Sequence, residues 1–183
     1  MSDHTGNDPF ARLPEVPSFT VTSTTIDDGA AFAQPQYSGA FGVPGGEDVS
    51  PQLSWSGAPE GTKGYAVTMY DPDAPTQSGF WHWAVANVPA SATSLPEGAG
   101  DSSGAQLPEG AYQLPNDSRA PSFIGAAPPA GHGQHRYFVV VHALDVADIE
   151  VPADATPAYL NFTIASHILG RAVLVATAEI PAE

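Results

Sequence analysis

At 183 residues the chain is long enough for one domain with a core of its own. Five Lys and Arg stand against 20 Asp and Glu, and the net charge of −15 excludes wrapping of a nucleic-acid backbone or adhesion to an anionic membrane surface. With no cysteine, disulfides, thiolate catalysis and zinc–thiolate sites are excluded as well.

Eighteen glycines and 19 prolines imply many turns and few long helices. Residues 1–17 are polar and broken by proline, and read as a flexible N-terminal arm ahead of a single domain over 18–183. The arm has neither the basic nor the apolar region of a secretory signal, and no stretch approaches the ~18 apolar residues of a membrane span. A cytoplasmic protein with no stable membrane insertion is expected. Ser18 to Thr25 alternates with β-branched residues and predicts a first strand. Residues 27–51 read as loop, with one short strand near Gln36 to Ser38. Further strands are predicted at Gln52 to Trp55, Gly64 to Tyr70 and Trp81 to Val88. Residues 89–131 are rich in proline and glycine and predict a long loop, a feature more often functional than idle. Arg136 to Leu144 is near-continuously apolar, which predicts a strand covered on both faces. Thr156 as cap and Pro157 in the first turn predict a helix over 158–171, with Tyr159, Phe162, Ile164, Ile168 and Leu169 as its apolar face. A closing strand follows over 172–180. The pattern predicts a mainly β protein, a Greek-key β-sandwich with a helix near the C-terminus.

Three segments put polar side chains at strand ends, where loops build sites on a rigid scaffold. They are Tyr70-Asp71-Pro72-Asp73-Ala74-Pro75, then Gly79-Phe80-Trp81-His82-Trp83, then Pro128-Pro129-Ala130-Gly131-His132-Gly133-Gln134-His135-Arg136-Tyr137. Histidines 82 and 135 can donate hydrogen bonds to an anion, and Asp71 nearby would orient and charge an imidazole. Glycines 131 and 133 would let backbone amides approach a ligand. Tyr137 would add a hydroxyl, and Pro128 with Pro129 a rigid apolar wall. Binding of an anion should then strengthen as the pH falls.

In order, these segments and Ser50 to Pro59 resemble the signature regions of the phosphatidylethanolamine-binding proteins, the Raf-kinase-inhibitor-like family, in its bacterial branch. The resemblance runs from Ser18 to the C-terminus. It implies a large antiparallel sheet packed on a smaller one, and a small cavity for phosphate-bearing headgroups and simple anions, with phosphatidylethanolamine among the ligands. It implies ligand-binding roles for Asp71, Asp73, His82, Pro128, Pro129, His135 and Tyr137, to which the backbone reading above adds Gly131. No cofactor and no metal are expected. The resemblance also implies a homodimer, and a kinase or serine-protease partner as the main alternative to plain ligand binding. The chain departs from the family at Asn116-Asp117-Ser118-Arg119-Ala120-Pro121 and at Gly125-Ala126-Ala127, so the rim of the pocket should differ in shape.

Each residue also has a plainer reading. Asp71 and Asp73 flank prolines, as turn formers do. His82 between two tryptophans reads as a bonded core histidine. Alternation turns Arg136 away from His135 and Tyr137, toward a structural ion pair. His132 reads as solvated, and His142 and His167 as packing residues of a strand and a helix. Trp55, Trp81 and Trp83 read as core. An Asp/His hydrolase is the enzymatic alternative, but the spacing fits no standard metal motif. Gly100-Asp101-Ser102-Ser103-Gly104 fits the G-x-S-x-G nucleophile elbow yet lacks the strand before and the helix after that the elbow requires.

Overall fold

The computed structural model describes residues 7–182. Eight strands form two antiparallel sheets. The larger has the order β6-β4-β3-β7-β8, and the smaller β1-β2-β5. The strands are β1 Thr20–Thr22, β2 Leu53–Ser56, β3 Gly64–Asp71, β4 Phe80–Pro89, β5 Ser94–Leu95, β6 Tyr112–Gln113, β7 His135–Leu144 and β8 Ile168–Ala178. One helix, α1, spans Pro157–Ile164 between β7 and β8. This is the mainly β, two-sheet architecture expected.

The main core lies between the sheets. Val67 and Met69 of β3, Trp83 and Val85 of β4, Tyr137, Val139 and Val141 of β7, and Leu174 of β8 meet Leu53, Trp55 and Leu95 of the smaller sheet. These are alternate residues along each long strand, as the pleat requires. The other face of the large sheet is covered at one end by α1, where Leu160 and Ile164 pack on Ala66, Ala84 and Leu144. Both faces of β7 are therefore covered.

Three elements differ from expectation. The helix ends at Ile164, and residues 168–171 already belong to β8. Here the ladder with β7 outweighs local helical periodicity: Leu144 pairs with Ile168 and Ala143 with Gly170. A side chain at Gly170 would meet the Pro59 ring at 2.8 Å and the Pro17 carbonyl at 2.9 Å, so this position suits a close crossing better than a helix face. The buried residues of α1 are Pro157, Leu160 and Ile164, while Tyr159 and Phe162 are exposed. Second, the strand expected near residues 36–38 is a 3-10 turn at Gln34–Gln36, followed by a single bridge from Tyr37 to Ala126. Third, the loop over 89–131 carries the short strands β5 and β6.

Residues 7–17, in the arm read as flexible, lie on the outer face of the large sheet. Phe10 meets Phe138 edge-on at 5.8 Å, Asn7 Nδ2 donates to the Pro72 carbonyl at 2.7 Å, and Arg171 donates to the Pro14 carbonyl at 3.1 Å. Residues 1–6 lie outside the described part of the chain. No helix among the described residues is long and apolar enough to cross a membrane.

Candidate functional site

Antiparallel pairing puts the end of β3 beside the starts of both β4 and β7: Asp71 pairs with Phe80, and Tyr70 with Phe138. The three polar segments therefore converge at one end of the large sheet, where its three inner strands meet. They enclose a cavity of about 140 Å³ whose wall includes Asp71, His82, Pro128, Pro129, His135 and Tyr137.

Asp71 is the organiser. Its Oδ1 accepts from the backbone N–H of Asp73 at 2.7 Å and of Ala74 at 3.0 Å, which curls the chain after β3 into the cavity wall. Its Oδ2 accepts from His135 Nδ1 at 2.8 Å. The far nitrogen of His135 meets Nδ1 of His132 at 2.7 Å, so a chain of hydrogen bonds runs Asp71–His135–His132. The turn that returns His132 has Gly131 and Gly133 at φ of 74° and 95°.

His82 reaches the cavity through a β-bulge. Met69 pairs with Trp83 and Tyr70 with Trp81, so His82 is the extra residue between two pairs. Bulges re-aim side chains in this way. Its ring stands 4.7 Å from that of Phe80 and 5.1 Å edge-on from that of Tyr137. Nδ1 donates to the Ile124 carbonyl at 2.8 Å. Burial pushes the imidazole below its ordinary pKa, against the opposing pull of the Ile124 carbonyl, Asp71 and Asp117. The Tyr137 phenol is pushed far up, first by burial and then by Asp71, so it stays protonated.

Two residues expected at the ligand are elsewhere. Asp73 does not line the cavity. Its carboxylate takes Nε and Nη2 of Arg136, each at 2.8 Å, because β7 alternation sends Arg136 to the opposite sheet face. Gly131 does not line it either, and its amide donates to the Ile180 carbonyl at 2.9 Å. Conversely, two contributors were not expected. His132, read as solvated, is bonded to His135, and its spacing of three residues from His135 across Gly133 was its only signal. Phe41, from the glycine-rich loop after Tyr37, stands at the mouth and meets Phe80 edge-on at 6.2 Å. No periodicity marks it.

The remaining histidines and tryptophans are placed as follows. His142 is buried in β7, and His167 lies in the turn after α1 rather than within the helix, paired with Asp145 at 2.8 Å. Trp55 and Trp83 are core, while Trp81 is half-buried against Tyr70 at 4.4 Å. Residues 100–104 form turns, with Asp101 accepting from the backbone of Ser103 and Gly104, and no strand leads directly into Ser102 nor does a helix start directly after it.

Gly79 closes the β3–β4 turn at φ of 65°, where a side chain would collide with the Tyr70 hydroxyl and meet the Asp71 carbonyl at 2.5 Å. Gly79→Ala is expected to cost at least about 1–3 kcal/mol from backbone strain alone, read as a lower urea midpoint at unchanged slope. An unchanged midpoint would show that the turn yields freely.

Comparison with known proteins agrees with this fold. The family description for phosphatidylethanolamine-binding protein matches residues 22–179. The chain belongs to the phosphatidylethanolamine-binding protein family. It is similar to YbcL of Escherichia coli, at 43% identity over 163 residues, covering 89% of this chain and 88% of that protein. It is 45% identical to YbhB of the same organism over 131 residues, covering 72% of this chain and 82% of YbhB. The crystal structure of E. coli YbcL, described as a member of the mammalian family, superposes with a TM-score of 0.86 over 90% of this chain and 99% of that one. For this member of the family, the cavity at the end of β3 is the candidate ligand site.

Proposed function

We propose that this member of the family is a non-catalytic binding protein whose cavity receives a small phosphate-bearing ligand, with a regulatory consequence. The observation that carries the reading is the meeting of His82, His135, Asp71 and Tyr137 in the wall of one 140 Å³ cavity. Two imidazoles and a phenol supply directional polar groups at its base. Phe41, Phe80, Pro75, Pro128 and Pro129 supply an apolar collar that excludes water and strengthens each polar contact. The volume suits a headgroup, not a lipid chain.

Calorimetry with phosphoethanolamine and inorganic phosphate at pH 6 tests the reading. Saturable one-site binding is expected, with about 2.7 kcal/mol of stabilisation at a hundredfold excess over Kd. His135→Ala and His135→Gln should each weaken it at least about tenfold, because either change breaks the Asp71–His135–His132 chain that sets the cavity wall. Phosphate release from phosphoethanolamine would move the reading to a hydrolase. A folded wild-type protein that binds neither compound would move it to an inhibitor of a protein partner.

A further inference from the structure

We infer that the cavity filters oxyanions by their protonation: it takes singly protonated phosphate monoesters in preference to sulfate and to phosphodiesters, which carry no proton near neutral pH. This rests on the reading of the cavity as an oxyanion site and names its ligand class. The carrying observation is the bond from His82 to the Ile124 carbonyl, 2.8 Å from Nδ1. A carbonyl oxygen can only accept, so the ring proton is on Nδ1. Nε2 of the neutral ring is then a bare acceptor on a side chain that lines the cavity. A flip of the ring would break the Ile124 bond and disturb the edge contact with Tyr137.

The lining contains no Lys or Arg, and Arg136 is bound to Asp73 on the other sheet face. Asp71 is a buried carboxylate whose two oxygens already accept three hydrogen bonds. Tyr137 supplies a hydroxyl. An oxyanion that takes the Tyr137 hydrogen on one oxygen therefore needs a hydrogen of its own for His82. Otherwise it sets a lone pair against a lone pair, at the cost of an unmet buried polar pair. A phosphate monoester, with a second pKa of about 6, brings that hydrogen. Once bound, the proton lies between the phosphate oxygen and Nε2, a charge-assisted bond whichever atom holds it. Sulfate and a phosphodiester must instead draw a proton from water onto an imidazole whose burial resists the charge.

The test is calorimetry with methyl phosphate, dimethyl phosphate, sulfate and ethanolamine, at pH 6 and 7.5, on the wild type and on His82→Gln. The wild type should bind methyl phosphate at pH 6 at least about tenfold more tightly than sulfate or dimethyl phosphate, and lose about tenfold per pH unit above the monoester pKa, one proton being taken up. His82→Gln offers an amide N–H in place of the bare nitrogen, so its preference should fall below about threefold. Equal wild-type affinities for methyl phosphate and sulfate would overturn the filter and leave the oxyanion site standing. No binding of any anion would remove the site itself. Ethanolamine bound as tightly as methyl phosphate would overturn the filter, since an ammonium would then be the donor sought. Nitrogen-15 spectra of the ligand-free wild type give an independent reading. They should show His82 as the Nδ1–H tautomer at pH 6, and an Nε2–H tautomer or an imidazolium there would overturn the inference.

Discussion

Arg136→Met is expected to lower the unfolding free energy by about 3–5 kcal/mol, the usual cost of leaving one partner of a buried ion pair alone. The Asp73 side chain is 1% exposed, that of Arg136 25%. Two side-chain bonds at 2.8 Å and a third from the Arg136 backbone N–H at 3.0 Å hold the carboxylate. Geometry of this fork matches a planar guanidinium and not an ammonium, so Arg136→Lys should recover less than half of the loss. Removing both charges, as Arg136→Met with Asp73→Asn, should cost less than Arg136→Met alone, because no carboxylate is then stranded. Urea unfolding of the four proteins checks this. In a domain of this size the single variant should melt about 6–20 °C lower. A loss under about 1 kcal/mol would place the pair with ordinary exposed ion pairs. The same variant should weaken ligand binding, because Asp73 anchors the residues that follow Asp71, and Ala74, Pro75 and Thr76 belong to the cavity wall. Arg136 also donates to the Asn7 carbonyl at 3.0 Å, so one guanidinium fastens the loop and the arm together.

That double role shows where sequence reasoning reaches its limit. Alternation along 135–137 was enough to send Arg136 away from His135 and Tyr137. Nothing local said that its partner would be Asp73, 63 residues earlier, so Asp73 read as a ligand contact. The long strands were legible because a face buried between sheets imposes a period of two, and the site was legible at the level of segments because three polar motifs sat at strand ends. The aim of single side chains was not. His82 depends on a bulge set by the register between β3 and β4, a long-range property. Phe41 reaches the mouth through a loop with no repeat. The helix was overextended because residues 165–171 look helical in isolation, while their pairing with β7 decides the matter. Gly131 read as a ligand-facing amide, but that amide is spent on Ile180 at the far end of the chain. In each case a contact between distant segments outweighed the local pattern.

The same sheet face that holds Arg136 carries the second large effect, on the pH dependence of stability. His142 is 3% exposed, and its pKa is lowered to about 3, first by burial and then by the positive charge of Arg171, its neighbour across the β7–β8 ladder. Its Nε2 meets the Thr68 hydroxyl at 3.1 Å, and Nδ1 has no hydrogen-bond partner. The folded protein thus keeps His142 neutral down to about pH 3, whereas the unfolded chain protonates it near 6.5. Between those values the unfolded state binds more protons, so stability is fully present above about 6.5 and is lost as the pH falls. The loss amounts to about 2 kcal/mol by pH 5, and to about 4–5 kcal/mol near pH 3. His142→Leu removes the titration. It should cost about 1 kcal/mol at pH 7.5, from the Thr68 bond. From pH 7.5 to pH 5, wild type should then lose about 2 kcal/mol more than the variant, so that the two stability curves cross. Urea unfolding at both pH values reads this directly, and parallel curves would show that His142 takes up its proton in the folded state as readily as in the unfolded. Adding Thr68→Val to the variant separates the two effects, since it removes the stranded hydroxyl without restoring a titrating group. The double variant should be no less stable than His142→Leu at either pH and should show the same flattened dependence, because only the imidazole carries the proton.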